Sequence, residues 1–184
     1  MNYIKIFASL LGVLAWGNVQ AQNKQVYRVQ WPSLDGKTVS MSDYAGNAIL
    51  VWLANGPGME PAFLKQLDSL AAVYQSGLVV MVLPCKDCGP LPADNDLLKL
   101  TETYAPNISV LGKPALTATG LGRSQHPLVY WLTHRTENKH FDLETVQPNS
   151  AFLISKEGTI VGHYDAIKDF RNAFWTRALQ RVAR

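Results

Sequence analysis

Two short apolar runs, joined by a segment with helical periodicity, constrain the fold of this 184-residue chain more than any other feature. Residues 49–53 (ILVWL) and 78–83 (LVVMVL) are near-continuous apolar runs, which are typical of strands covered on both faces. Between them, apolar residues recur at the spacing of one helix face: Phe63, Leu67, Leu70 and Tyr74. The pattern predicts a βαβ unit with parallel strands and a right-handed connection.

The two cysteines of the chain, Cys85 and Cys88, follow directly after the second predicted strand. Ligands and chemistry collect at the carboxyl ends of strands in open α/β sheets. Residues 89–92 (GPLP) cannot be helical throughout, so we expect the pair on a loop. A Cys-x-x-Cys pair can exchange thiols and disulfides, because one thiolate attacks and the other resolves the mixed disulfide. Lys86 would lower the pKa of the attacking thiol, whereas Asp87 would oppose that effect.

Two other roles for this pair remain open from the sequence. One is a structural disulfide that shapes the loop, although so small a loop adds little to the free energy of unfolding. The other is a metal site built from both thiolates, Asp87 and a remote histidine, but no second ligand pair is present in the sequence. The histidines favour other roles: His126 at a helix start, His134 and His140 beside a polar stretch, and His163 at a strand end, where either role is open.

Residues 1–21 have the pattern of an export signal. Lys5 gives a positive start, residues 6–17 are apolar, and residues 19–21 (VQA) resemble a cleavage site. The apolar run is too short for a comfortable membrane span. We therefore expect an exported protein, periplasmic or secreted, with residues 22–184 as a single domain that is not embedded in a membrane. The net charge of +3, without a clustered basic region, argues against nucleic-acid binding.

The rest of the chain predicts one β-hairpin before the βαβ unit and a second hairpin after it. The first hairpin joins residues 26–31 to residues 38–41 through an Asp-Gly turn, and the second joins residues 151–154 to residues 159–163. Helices are predicted after an N-cap at Asp94, at residues 126–132, and in a closing amphipathic segment marked by Ile167, Phe170, Phe174 and Val182. Residues 105–125 carry no regular pattern, and residues 133–148 are polar and expected to be exposed. This order of elements is that of an elaborated thioredoxin fold.

Several stretches also resemble the glutathione peroxidase family, in the order in which that family has them. They are residues 34–39 (LDGKTV) with 44–46 (YAG), which resemble its opening segment; 77–85 (GLVVMVLPC), which resemble its G-L-x-V…F-P-C-N-Q-F strand; 126–132 (HPLVYWL), which match its H-P-L/F…W-L segment; and 152–158 (FLISKEG), which resemble its F-L-I-x-x-x-G hairpin. The resemblance spans roughly residues 34–164. It implies an α/β, thioredoxin-like fold with a central mixed β-sheet flanked by helices and an N-terminal β-hairpin.

The sequence departs from the family pattern at the positions that carry the family's catalytic residues. The family's peroxidatic cysteine or selenocysteine follows V-N-V-A-S after one residue, and Pro57 stands at that position here. The glutamine of F-P-C-N-Q-F falls on Asp87. The tryptophan of the family's W-N-F is absent from residues 147–150 (QPNS), where Asn149 matches the asparagine if the alignment shifts by one. The resemblance therefore implies the fold and argues against the family's usual peroxidase mechanism.

One substitution points towards chemistry, because Cys85 matches the cysteine of F-P-C-N-Q-F and Cys88 replaces its last phenylalanine. Our first hypothesis is an exported thiol–disulfide oxidoreductase or atypical thiol peroxidase, acting on a small-molecule peroxide or on a thiol or disulfide of a protein partner. Cys85 would be the nucleophile and Cys88 the resolving thiol, with Lys86, Asp87 and Asn149 in support. The second is a catalytically degenerate family member, a binding or accessory module with a structural disulfide. No nucleotide, haem or flavin motif is visible, so neither hypothesis includes a cofactor.

Overall fold

A five-stranded mixed sheet forms the centre of the molecule, and a two-stranded hairpin precedes it along the chain. The computed structural model describes residues 25–86, 88–112, 125–140, 142–143 and 146–183, so that the predicted export signal and Asp87 lie outside the described residues. The hairpin pairs β1 (Gln30–Pro32) with β2 (Thr38–Ser40). The sheet has the order β5-β4-β3-β6-β7 and consists of β3 (Ala48–Ala54), β4 (Leu78–Pro84), β5 (Ser109–Val110), β6 (Ser150–Ile154) and β7 (Ile160–Tyr164).

The predicted βαβ unit forms the middle of this sheet. Strands β3 and β4 run parallel, from Ala48 opposite Leu78 to Ala54 opposite Pro84. Helix α1 (Pro61–Val73) connects them. On its other side, β3 pairs with β6 in antiparallel orientation. Strand β6 in turn pairs with β7, also in antiparallel orientation. The parallel pair, the second hairpin and the mixed sheet predicted from the sequence are thereby confirmed.

Each face of the sheet packs against its own apolar core, which explains why β3 is apolar throughout. Alternate residues of a strand point to opposite faces. Leu50 and Trp52 belong to the core that also receives side chains from α1, α2 (Asp94–Tyr104) and α5 (Ala173–Val182). Ile49 and Val51 belong to the core formed with the N-terminal hairpin and helix α3 (Pro127–Thr133). All residues of β3 are buried, so the central strand contacts solvent on neither face.

Several predicted boundaries differ from the structure by one or more residues. Residues Val26–Arg28 form a 3₁₀ turn rather than strand, because the Val26 side chain is drawn fully into the core and the Val29 amide bonds back to the Val26 carbonyl. Helix α2 begins at Asp94 itself, one residue after the N-cap position. Ile167 and Phe170 precede α5 instead of lying on it, since Asn172 caps that helix by accepting a hydrogen bond from the Trp175 amide at 3.1 Å.

Two short elements were not predicted. Strand β5 extends the sheet by pairing with Met81 and Val82, and it is too short to carry a periodic signal. Helix α4 (Arg135–Asn138) lies in the segment predicted to be polar and exposed, but Asn138 is buried and donates from Nδ2 to the Leu132 carbonyl at 3.2 Å. Both elements depend on tertiary partners. Within the described part of the chain, no helix is long and apolar enough to cross a membrane.

Truncation of two valines should separate core packing from surface exposure. Val82 on β4 is fully buried, whereas Val73 at the end of α1 is 73% exposed. We expect Val82→Ala to lower the free energy of unfolding by about 2 kcal/mol, because two methyl groups leave a packed core. The matched Val73→Ala change should stay within about 0.5 kcal/mol, since most of this side chain faces solvent. Urea unfolding of both variants measures the difference, and equal effects would contradict the assigned core.

Candidate functional site

Cys85 and Cys88 form a disulfide on the loop that follows β4, with their Cα atoms 5.3 Å apart. The Cys85 amide donates to the Ala54 carbonyl at 2.7 Å and so extends the β3–β4 ladder by one residue. The Cys88 amide donates back to the Cys85 carbonyl at 3.3 Å, which closes the loop. The expected loop position at the carboxyl end of β4 is confirmed, and the sheet itself holds one end of the disulfide.

The two cysteines differ in burial. Cys85 is completely buried in the core that includes Trp31, Leu83 and Leu111. Cys88 is half-buried and packs against the edge of that core. A thiolate must be accessible in order to attack an external reactant, and an apolar environment raises the pKa of a buried thiol. Access from solvent therefore favours Cys88 as the sulfur that an external reactant meets first.

The loop between the two cysteines carries two charged residues, Lys86 and Asp87. Lys86 is exposed, and Asp87 lies outside the described residues. The next helix, α2, begins only at Asp94, so its positive N-terminal end does not start at either cysteine. Helix α2 therefore does not supply the helix-dipole stabilisation that lowers the thiol pKa in many dithiol enzymes.

A second loop lies against the cysteine loop. It connects β3 to α1 through a short 3₁₀ turn, Pro57–Met59. A Cβ atom at Gly56 would collide with the carbonyl oxygen of Pro90, so the two loops approach closely at a point that only glycine allows. Pro57, which the sequence resemblance aligns with the family's peroxidatic residue, is exposed on this loop. The structure therefore places the loop of Pro57, which carries no cysteine, against the loop of Cys85 and Cys88.

Asn149 connects this second loop to the rest of the sheet. It has a positive φ of 60°, a conformation that asparagine tolerates better than most residues. Its amide donates to the Leu53 carbonyl at 2.7 Å, and its carbonyl accepts from the Ile167 amide at 2.9 Å. Its side-chain Oδ1 accepts a hydrogen bond from the Asn55 amide at 3.4 Å. Because Leu53 and Ala54 are consecutive in β3, Asn149 and Cys85 lie on opposite sides of the same strand end.

A polar cluster next to Asn149 was not found from the sequence. The Ser150 hydroxyl donates to Asp165 Oδ1 at 2.5 Å, and His163 Nε2 lies 3.2 Å from the same oxygen. The His163 ring stacks on Phe152, with ring centroids 4.5 Å apart. The carboxylate stands between hydroxyl and imidazole, and Ser150 is fully buried, so the imidazole cannot take the hydroxyl proton directly as a general base would. The cluster instead ties the ends of β6 and β7 together.

The other histidines have structural surroundings. His126 caps α3, as expected, because its Nδ1 accepts from the Leu128 amide at 3.2 Å. Burial lowers the pKa of His126 to about 4, so the ring is neutral at pH 7. His134 stacks on Tyr130 with ring centroids 3.9 Å apart, and His140 is exposed. The described residues contain no group of three or more histidines, cysteines or carboxylates placed to hold a metal ion.

Comparisons with known proteins point to one family and one fold. No family model matches the chain. The glutathione peroxidase of Lactococcus lactis subsp. cremoris is 31% identical over 143 residues, which cover 71% of this chain and 83% of that relative. Among solved structures, Trgpx in apo form has a TM-score of 0.58 at 22% identity and covers 86% of this chain and 98% of its own.

A thiol:disulfide interchange protein of the thioredoxin family from Chlorobium tepidum TLS is also similar. It has a TM-score of 0.57 at 14% identity, and the match covers 84% of this chain and 92% of that one. At sequence identities of 22% and 14%, the similarity to these two solved structures shows the fold alone. Together with the five-stranded mixed sheet, it establishes the thioredoxin-like fold that the sequence predicted.

Three substitutions of Asn149 should distinguish its backbone role from its side-chain role. Asn149→Ala removes the acceptor for the Asn55 amide and places a less tolerant residue at positive φ, so we expect a loss of about 1–2 kcal/mol in the free energy of unfolding. Asn149→Gly also loses the acceptor, but glycine adopts a positive φ without strain. This variant should therefore lose less free energy of unfolding than the alanine variant. Asn149→Asp keeps an acceptor oxygen, so its free energy of unfolding should be nearest to that of the parent protein. Denaturant unfolding ranks them, and a glycine variant less stable than the alanine variant would contradict this assignment.

Proposed function

This chain belongs to the glutathione peroxidase family, and we propose that it carries out thiol–disulfide exchange through Cys85 and Cys88. The observation that carries the proposal is the Cys85–Cys88 disulfide at the carboxyl end of β4, with one sulfur accessible and the other buried. It lies against the loop that carries Pro57 in place of the family's peroxidatic residue. The pair thus supplies thiols to a site whose usual nucleophile is missing.

The proposed reaction has two steps. In the reduced protein, the Cys88 thiolate attacks a disulfide of the partner, forms a mixed disulfide and releases the first partner thiol. The Cys85 thiolate then attacks the Cys88 sulfur, which releases the second thiol and forms the Cys85–Cys88 disulfide. The partner gains two electrons and two protons, and the protein loses them. The reverse direction oxidises a partner dithiol.

The same thiols could turn over a small peroxide. The Cys88 thiolate would attack a peroxide oxygen, giving a sulfenic acid and releasing water or an alcohol. Cys85 would condense with the sulfenic acid, release water and form the disulfide. Both versions use Cys88 first, which reverses the order expected from the sequence. We reverse the order because Cys85 is completely buried and its amide is hydrogen-bonded to Ala54 in the β3–β4 ladder.

The competing function is a binding or accessory module in which the disulfide is structural. It is favoured by Pro57 at the family's peroxidatic position and by the same burial of Cys85. A module of this kind would keep its disulfide oxidised under cellular conditions and would turn over neither disulfides nor peroxides. The two functions therefore differ in the stability of one covalent bond, which can be measured.

Export and a single domain over residues 22–184 complete the proposal. The charge, apolar run and cleavage pattern of residues 1–21 support export. Disulfides persist in oxidising compartments such as the periplasm or the extracellular space, which is consistent with a paired Cys85 and Cys88. The partners in such a compartment would be proteins with thiols or disulfides, or small peroxides.

The reduction potential of the disulfide separates the two functions. Helix α2 begins only at Asp94 and does not stabilise the Cys88 thiolate, so we expect a potential towards the reducing end of known oxidoreductases, closer to roughly −270 mV than to −120 mV. Equilibration with glutathione or dithiothreitol buffers, followed by quantification of free thiols, gives the value. A potential below about −300 mV is typical of structural disulfides and would favour the accessory module.

Single-cysteine variants test the order of attack. In Cys85→Ser the remaining Cys88 is half-exposed, so we expect it to react with a thiol-specific aromatic disulfide at least about tenfold faster than Cys85 reacts in Cys88→Ser. Unfolding both variants in denaturant should equalise the rates, which controls for intrinsic reactivity. Both variants should lose catalytic turnover, because each lacks one half of the dithiol. A faster reaction of Cys85 in the folded protein would restore the order expected from the sequence.

A further inference from the structure

A groove far along the sheet from the disulfide lies between the edge strand β7 and helix α5. It encloses about 370 Å³, and its lining includes Val161, Tyr164, Phe174 and Ala178 together with Arg177 and Arg181. The disulfide loop follows β4, whereas β7 is the last strand on the opposite side of the sheet. The groove therefore lies apart from the thiol site.

Large apolar side chains are unusually exposed at this groove. Val161 is 49% exposed and Phe174 is 46% exposed, and together they make up half of the four large apolar side chains exposed among the described residues. Phe174 packs edge-on against Tyr164, with ring centroids 5.1 Å apart, yet keeps much of its surface open. Exposed apolar groups that converge on one cavity indicate a binding surface more strongly than scattered ones do.

The charge of the groove is positive. Arg177 and Arg181 lie one helical turn apart on α5, both exposed, and neither has an ion pair with any described residue. Arg171, just before the helix, differs because its Nε lies 2.9 Å from Asp169 Oδ1. No carboxylate is among the described residues that line the groove. The two exposed guanidinium groups, which have no ion pair within the described part of the chain, would favour an anionic group at this end of the cavity.

The edge of the sheet is poorly suited to adding a further strand. The β6–β7 register is irregular at Leu153 and Ile154, and such bulges twist an edge away from regular pairing. The Tyr164 side chain also lies across Gly162, where any Cβ atom would overlap it. An extended peptide would need the backbone groups of β7 in register. An alkyl chain needs no hydrogen-bond partners and only the apolar lining.

We propose that this groove binds a single-chain anionic amphiphile, namely a long-chain carboxylate. The alkyl chain lies along Val161, Tyr164 and Phe174, and the carboxylate accepts hydrogen bonds from Arg177 and Arg181 at the other side of the groove. The apolar lining matches the alkyl chain of such a ligand, and the two exposed arginines match its carboxylate. A neutral amphiphile or a short carboxylate would satisfy only one of them.

Isothermal titration calorimetry with sodium laurate, below the concentration at which it forms micelles, tests the proposal. We expect saturable binding of one laurate per protein. The double variant Arg177→Ala/Arg181→Ala should weaken it by about tenfold or more, because both charge-assisted contacts are lost. The matched control Arg171→Ala removes an arginine outside the groove and should leave the affinity unchanged. Circular dichroism verifies that each variant is folded.

Two further measurements test the apolar part. Phe174→Ser should weaken laurate binding, and butyrate should bind far more weakly than laurate, since both lose contact with the lining. Dodecyl maltoside, which has the same chain and no charge, should bind more weakly to the parent protein than laurate does. The proposal is overturned if laurate does not bind, if the double variant binds it as tightly as the parent protein, or if Arg171→Ala weakens binding as much as the double variant.

Discussion

The rest of the structure depends on the burial of β3 between two apolar cores. Its residues alternate between the core with α1, α2 and α5 and the core with α3 and the hairpin, so every position must be apolar. On each side it is hydrogen-bonded to another strand, β4 in parallel and β6 in antiparallel orientation. A strand held in this way has a rigid end, and that end is where the candidate site is built.

The carbonyl groups at this end point alternately to the two sides of the strand. Ala54 receives the Cys85 amide on one side, and Leu53 receives the Asn149 amide on the other. The same hydrogen bonds that complete the sheet therefore position the buried cysteine and the residue that holds the opposing loop. The close approach of Gly56 to Pro90 then brings the two loops together. Cys88, which we propose to react first, is the cysteine that the sheet holds less directly.

Within its family, this chain combines the shared scaffold with different chemistry at the strand ends. The loop after β3 has Pro57 where the family places its peroxidatic residue, while the loop after β4 carries a disulfide. Because the two loops are in contact, a thiol carried by either loop would lie at the same site, and the sheet need not differ between the two cases. The two cysteines differ in burial, since Cys85 is enclosed in the core and Cys88 is half-buried, and our proposed order of attack depends on that difference.

The sequence by itself determined the βαβ unit, the second hairpin and the loop position of Cys85 and Cys88, because apolar runs, helical spacing and turn residues act over short distances. Only the tertiary structure decided which sulfur is buried, how Asn149 bonds to Leu53 and Asn55, and that Ser150, Asp165 and His163 meet. It also decided β5 and α4, whose residues carry no periodic signal. These features depend on hydrogen bonds and packing between residues far apart in the chain, which no local pattern records.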